Sequence, residues 1–128
     1  MLRAKLHGVI AAVLLCLAAL PAGAQDAAGD GSGGAYVAGI PDLPLMPGLT
    51  ALPDGALVFD KPGGRIVEAF ARGSVAPQSV TAFYDQTLPQ LGWRPEGHGT
   101  YQREGERLEL DLGHDARGTT VHFRLFPQ

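Results

Sequence analysis

The sequence predicts an α+β domain, an antiparallel sheet in the order β-β-α-β-β-β with one helix packed on one face. Three observations predict it. Apolar residues recur at helical spacing from Val80 to Leu91, and they alternate with polar ones at strand spacing from Arg107 to Phe126. Between the periodic segments stand Pro- and Gly-containing turns of hairpin type. An antiparallel sheet with one face solvated and the other covered by the helix buries every apolar stripe of this pattern.

The elements follow in order from the N-terminus. Arg3 and Lys5 precede an unbroken apolar run from Val9 to Leu20, then Pro21 and Ala22-Gly23-Ala24. A basic start, a helix breaker and a small-x-small site are the parts of a cleaved secretory signal peptide. The apolar run is well short of the roughly 20 residues a membrane span takes. Residues 1–24 are therefore read as a leader cut after Ala24, and the protein as periplasmic or secreted. Cys16 does not make it a lipoprotein leader, because bulky Leu15 precedes it and Leu17 to Leu20 continue the apolar run.

Residues 25–39 read as a flexible tether. Gln25 to Ala35 is Gly-, Ser- and Asp-rich and has almost nothing to bury. Residues 40–54 carry Pro41, Pro44, Pro47 and Pro53 among Leu43, Leu45, Met46 and Leu49. Proline at that density excludes a helix or central strand and favours extended backbone. The intervening apolar residues suggest a segment laid along the domain surface, or one that recognises a partner.

Residues 55–128 form the α+β domain. Ala56 to Asp60 and Arg65 to Arg72 read as a hairpin around Lys61-Pro62-Gly63-Gly64, with Gly63 taking the positive φ of a type II turn. Pro77 suits the first helical position, and Val75 and Val80 have the spacing of a hydrophobic staple. Val80, Phe83, Tyr84, Leu88 and Leu91 fall on one helical face, Pro89 strains the last turn, and Gly92 ends the helix. Trp93 leads into the next strand. Thr100 to Glu104 and Arg107 to Leu112 then meet at Gly105-Glu106, read as a type II′ turn. Residues 113–118 read as a loop, and Thr119 to Phe126 as the last strand. If the apolar faces of the last two strands align, Glu109 and Asp111 lie opposite His122 and Arg124 or Thr120.

Composition narrows the function. The chain carries 10 Lys+Arg against 13 Asp+Glu, a net charge of −3. Loss of Arg3 and Lys5 with the leader leaves 8 basic residues against those 13 acidic ones, a net charge of −5, and removes the only cysteine. The exported form can therefore make no disulfide and has no thiol chemistry. An acidic chain without a basic cluster does not suit nucleic acid, nor an electrostatic hold on a membrane surface.

Leu45-Met46-Pro47-Gly48-Leu49, the stretch Phe59 to Ile66, and the junction Phe83-Tyr84-(x3)-Leu88-Pro89-Gln90-Leu91-Gly92-Trp93 resemble an uncharacterised family of short exported proteins of Gram-negative bacteria. The likeness spans about residues 43–126. It implies location and fold, and it transfers no catalytic residue.

Chemistry-bearing residues are sparse. His98, His114 and His122 fall in a turn, a loop and a strand, at different ends of the sheet, which does not suit a metal site. Glu109 and Asp111 share one strand face beside Arg107 and read as ordinary ionised groups. Ser32, Ser74 and Ser79 lack a nucleophile elbow, and Gly63-Gly64 opens a strand where a phosphate loop would open a helix. No catalytic constellation, cofactor site or metal site is predicted. The aromatics left outside the core stripes are Phe70, which shares a parity with Ile66 and Glu68, and Phe126, which shares one with His122 and Arg124. Phe70, Phe126, Leu45 and Met46 are the candidate interaction surface, either open to a partner or covered by residues 40–54. The expectation is a non-catalytic exported accessory domain binding another envelope protein or itself. The alternatives are a small-ligand carrier with a pocket lined by Phe83, Tyr84 and Leu110, or an inhibitor of an exported enzyme.

Overall fold

The computed structural model describes residues 35–128, so the leader, Ser32 and the tether as far as Gly34 lie outside the described residues. The elements are β1 (Thr50–Ala51), β2 (Leu57–Lys61), β3 (Gly64–Gly73), α1 (Pro77–Gln90), β4 (Arg94–Gly97), β5 (Thr100–Arg103), β6 (Glu106–Asp115) and β7 (Gly118–Pro127). They make one seven-stranded sheet in the order β1-β3-β7-β6-β5-β4, antiparallel at every pairing, with β2 also on β3. β1 and β2 lie end to end on the edge of β3 that β7 leaves free, at Ala71–Arg72 and Gly64–Glu68 respectively. The α+β class holds, β4 is the strand expected to follow Trp93, and the short strand β1 extends the sheet further.

Helix α1 begins at Pro77 with Ala76 as N-cap, so Val75 and Val80 do occupy the staple positions. It buries Val80, Tyr84 and Leu88, four residues apart, with Phe83 and Leu91 half-buried beside them. Its C-terminus is a complete Schellman motif. The Trp93 N–H donates to the Leu88 carbonyl at 3.0 Å, the Gly92 N–H donates to Pro89 at 3.1 Å, and Gly92 takes φ +88°. Pro89 therefore sits in the last turn without ending the helix early. Arg103 closes this end, donating to the Leu91 carbonyl and lying 4.5 Å over the Trp93 ring.

The helix-side face of the sheet is the core. Val67, Ala69 and Ala71 of β3, Val121, Phe123 and Leu125 of β7, Leu108 and Leu110 of β6, and Tyr101 of β5 are buried there. Residues 36–49 complete it. Val37, Ile40, Leu43, Leu45 and Leu49 are all buried in the same cluster as the helix and sheet residues. At the end of the stretch expected as a tether, Val37 is buried in this core and Tyr36 is bridged to Pro44. The proline-rich segment is a strap that supplies one side of the core, and turns break its extended course near Gly39, Asp42 and Gly48. Gly73 is where it crosses the sheet: a Cβ there would stand 1.9 Å from the Gly48 carbonyl oxygen, so only glycine fits.

Three local expectations change. The β5–β6 turn is Glu104-Gly105, both at positive φ (50° and 79°), which is the type I′ form and not II′ at Gly105-Glu106. At Pro62-Gly63 the positive φ falls on Gly64, so no type II turn forms. The predicted loop at 113–118 is a continuation of β6 and β7, paired to Asp115–Gly118 around Ala116-Arg117. Ladder hydrogen bonding carries the strands past residues whose types suggested a loop, and the Asp115 carboxylate accepts from the Arg117 N–H to shape the turn.

Candidate functional site

The face of the sheet away from the helix is divided between charge and apolar surface. Register builds it in rows. Phe59 stands opposite Ile66 across β2 and β3, and a row runs Phe126, Arg107, Gln102 and Arg94 across β7, β6, β5 and β4. The next runs Leu57, Glu68, Arg124, Glu109 and Thr100, and the third holds Phe70, His122 and Asp111. The pairing of Glu109 with Arg124 and of Asp111 with His122 follows the predicted alignment of the last two strands.

The charged part is internally matched. Arg124 donates to Glu109 at 2.7 Å and to Asp111 at 2.8 Å. His122 Nε2 lies 3.3 Å from Glu68, Arg107 pairs with Glu96, and Arg72 with Asp115 at 2.6 Å, while Arg65 and Glu106 pair on the helix-side parity of β3 and β6. The Arg117 N–H and then Arg72 hold the Asp115 carboxyl below the usual carboxylate range. Glu109 and Asp111 thus converge on one arginine. The three histidines among the described residues are apart: His122 is in this face, His114 meets Thr119, and His98 borders the cleft beside α1. Among the described residues, no three His, Cys, Asp or Glu side chains gather as metal ligands.

The apolar part lies at the β2 edge. Leu57, Val58 and Phe59 are 53%, 52% and 51% exposed, and every residue of β2 is exposed. Leu57 and Phe59 point to the outer face, where Phe59 stands opposite Ile66 and Phe126 shares the same parity. Phe70 stacks on His122 with ring centroids 4.1 Å apart, and Leu52, 38% exposed, donates its N–H to the Phe70 carbonyl. Of the predicted surface residues, Phe70 and Phe126 belong here, half-buried. Leu45 and Met46 do not: Leu45 is in the core, and Met46 is half-buried against it, its N–H donating to the Tyr84 hydroxyl. The strap packs on the helix side, away from the outer face that holds Phe59, Ile66 and Phe126.

Leu57 and Phe59 were missed because Leu-Val-Phe shows no alternation to tell its two faces apart. The signal lay in the hairpin. Closing the turn on Lys61 and Gly64 puts Phe59 opposite Ile66 and Leu57 opposite Glu68, on the parity of Phe70.

A cleft between α1 and the β5–β6 end is bordered by Val80, Tyr84, His98, Tyr101, Leu110 and Leu112, with a volume of about 170 Å³. Tyr84 and Leu110 line it as the carrier reading required, but Phe83 does not. Ligand pockets usually measure about 300–1,000 Å³. Its phenols are also already engaged: Tyr84 donates to the Pro44 carbonyl at 2.9 Å, and Tyr101 donates to Asp85. Burial pushes the Tyr84 phenol up to about 12 against the pull of the Met46 N–H. Burial raises Tyr101 as well, reinforced by its bond to Asp85 and the charge there.

Among the described residues, no helix is long and apolar enough to cross a membrane. No protein-family model, curated protein or solved structure matches the chain.

Proposed function

We propose that the chain is an exported, non-catalytic interaction domain of the bacterial envelope that binds another envelope protein or itself through the β2 edge and the apolar row beside it. The observation that carries this reading is β2, a five-residue apolar-to-charged strand exposed along its length. Among the described residues it is paired on one side only. An edge strand presents unpaired N–H and C=O groups, which is the template for adding a partner's strand. The Leu57–Phe59 parity adds side chains for specificity. The export signal at residues 1–24 and the resemblance to short exported proteins support the envelope as its place of work. The closed ion pairs of the remaining outer face leave little else for a partner to read.

A crosslinked pull-down from the periplasm tests this with three forms of the chain: wild type, Phe59→Asp, and Arg94→Asp on the opposite edge. Adducts, whether with a second copy or another protein, are expected with wild type and Arg94→Asp and lost with Phe59→Asp. Adducts indifferent to Phe59→Asp, or none with wild type, would overturn the reading.

A further inference from the structure

The hydrogen-bonding polarity of β2 identifies its occupant. The β2–β3 hairpin closes on Lys61 and Gly64 directly across Pro62-Gly63. Pro62 has no N–H to offer, so Lys61 and Gly64 exchange both bonds of the closing pair themselves. Antiparallel ladders alternate from there. Lys61, Phe59 and Leu57 turn their backbone groups toward β3, while Val58 and Asp60 turn theirs away from it.

Those outward groups match themselves under a two-fold axis through Phe59. Val58 of each copy faces Asp60 of the other, and each pair exchanges two hydrogen bonds. We propose that the chain forms a two-fold dimer by antiparallel pairing of β2 with β2 of a second copy, centred on Phe59; the proposal rests on reading β2 as an interaction edge. The two sheets become one, and on the outer face a row runs Ile66, Phe59 and then Phe59 and Ile66 of the second copy. Such an interface is isologous, as dimer symmetry requires.

Charge selects both the partner and the register. Lys61 makes no ion pair among the described residues. In the Phe59-centred register, Lys61 of one copy stands opposite Leu57 of the other, whose neighbour on β3 is Glu68. Two strand spacings are about 10 Å, a span that the lysine and glutamate side chains cover together across Leu57. Symmetry makes this contact twice. Centring on Asp60 instead would set two aspartates face to face, which destabilises a strand pair. Centring on Val58 would place Lys61 opposite Gly55, away from Glu68.

Cysteine crosslinking of the full chain in a Cys16→Ser background tests this. Phe59 and its copy form a non-hydrogen-bonded pair, with Cα atoms about 4.5 Å apart, inside the disulfide range of about 4.4–6.8 Å. Phe59→Cys is therefore expected to give a disulfide-linked dimer under mild oxidation. Leu57→Cys alone is not, since the two positions lie about 13 Å apart along the strands. A mixture of Leu57→Cys and Lys61→Cys chains is expected to crosslink. Sedimentation is expected to show wild type as a dimer and Val58→Pro as a monomer; a proline on an edge strand keeps the hairpin, and circular dichroism verifies that it does. A monomeric wild type, or crosslinking through Val58→Cys and not Phe59→Cys, would overturn the dimer. The wider interaction reading would then stand or fall separately, on whether the pull-down recovers adducts with other envelope proteins that depend on Phe59.

Discussion

Tyr84 ties three parts of the protein together. Its ring packs edge-on against Phe123 of β7 at 5.6 Å, and its hydroxyl donates to Pro44 and accepts from the Met46 N–H in the strap. Replacing it by phenylalanine keeps the ring and leaves a carbonyl and an N–H unpaired, a loss of about 1–3 kcal/mol that a urea titration would measure. The same burial makes stability pH-dependent. The folded chain holds this phenol at about 12 against an ordinary value of 10, so it favours the neutral form. That stabilisation is complete below pH 10 and is lost as the pH rises toward 12, with Tyr101 acting in the same direction. The urea midpoint is expected to fall across that window, and Tyr84→Phe should flatten the fall. At this scale the sequence was informative about position and silent about partners. The 3.6-residue period put Tyr84 on the buried face, but nothing in residues 44–46 announced the backbone groups its hydroxyl would meet.

At the scale of elements, the strap is the main departure from expectation. Its apolar residues have no helical or strand period, because prolines and turns set their spacing, so periodicity could not assign them to the core. Burying Val37, Ile40, Leu43, Leu45 and Leu49 at roughly 1.5–3 kcal/mol each is comparable to the whole stability of a small domain, about 5–15 kcal/mol. A chain beginning at Gly55 is therefore expected not to fold, which its circular dichroism and amide dispersion would show. Gly73→Ala tests the same contact with one methyl group. A Cβ on the Gly48 carbonyl oxygen must push the strap off β3, and a loss of about 2–4 kcal/mol is expected in thermal or urea unfolding. The helix and the alternating strands, by contrast, were legible because their side-chain periods match their geometry. The extension of β6 and β7 through Gly113, His114 and Asp115 was not, since pairing with a long partner strand overrides the turn preferences of those residues.

At the scale of the whole molecule, the sheet is finished differently at its two edges. β4 ends one side with Arg94, Pro95 and Glu96, residues that discourage further pairing. β2 ends the other with exposed Leu57, Val58 and Phe59. The candidate surface was half legible: strand parity separated Phe70 and Phe126 from the core, while Leu57 and Phe59 emerged only from register across the hairpin. Amide hydrogen exchange across a concentration series tests the β2 edge most directly. The Leu57 and Phe59 amides, bonded to β3, should be protected at every concentration. The Val58 and Asp60 amides should exchange freely in dilute solution and become protected as the chain is concentrated, whereas rapid exchange of both at all concentrations would contradict self-association through this edge.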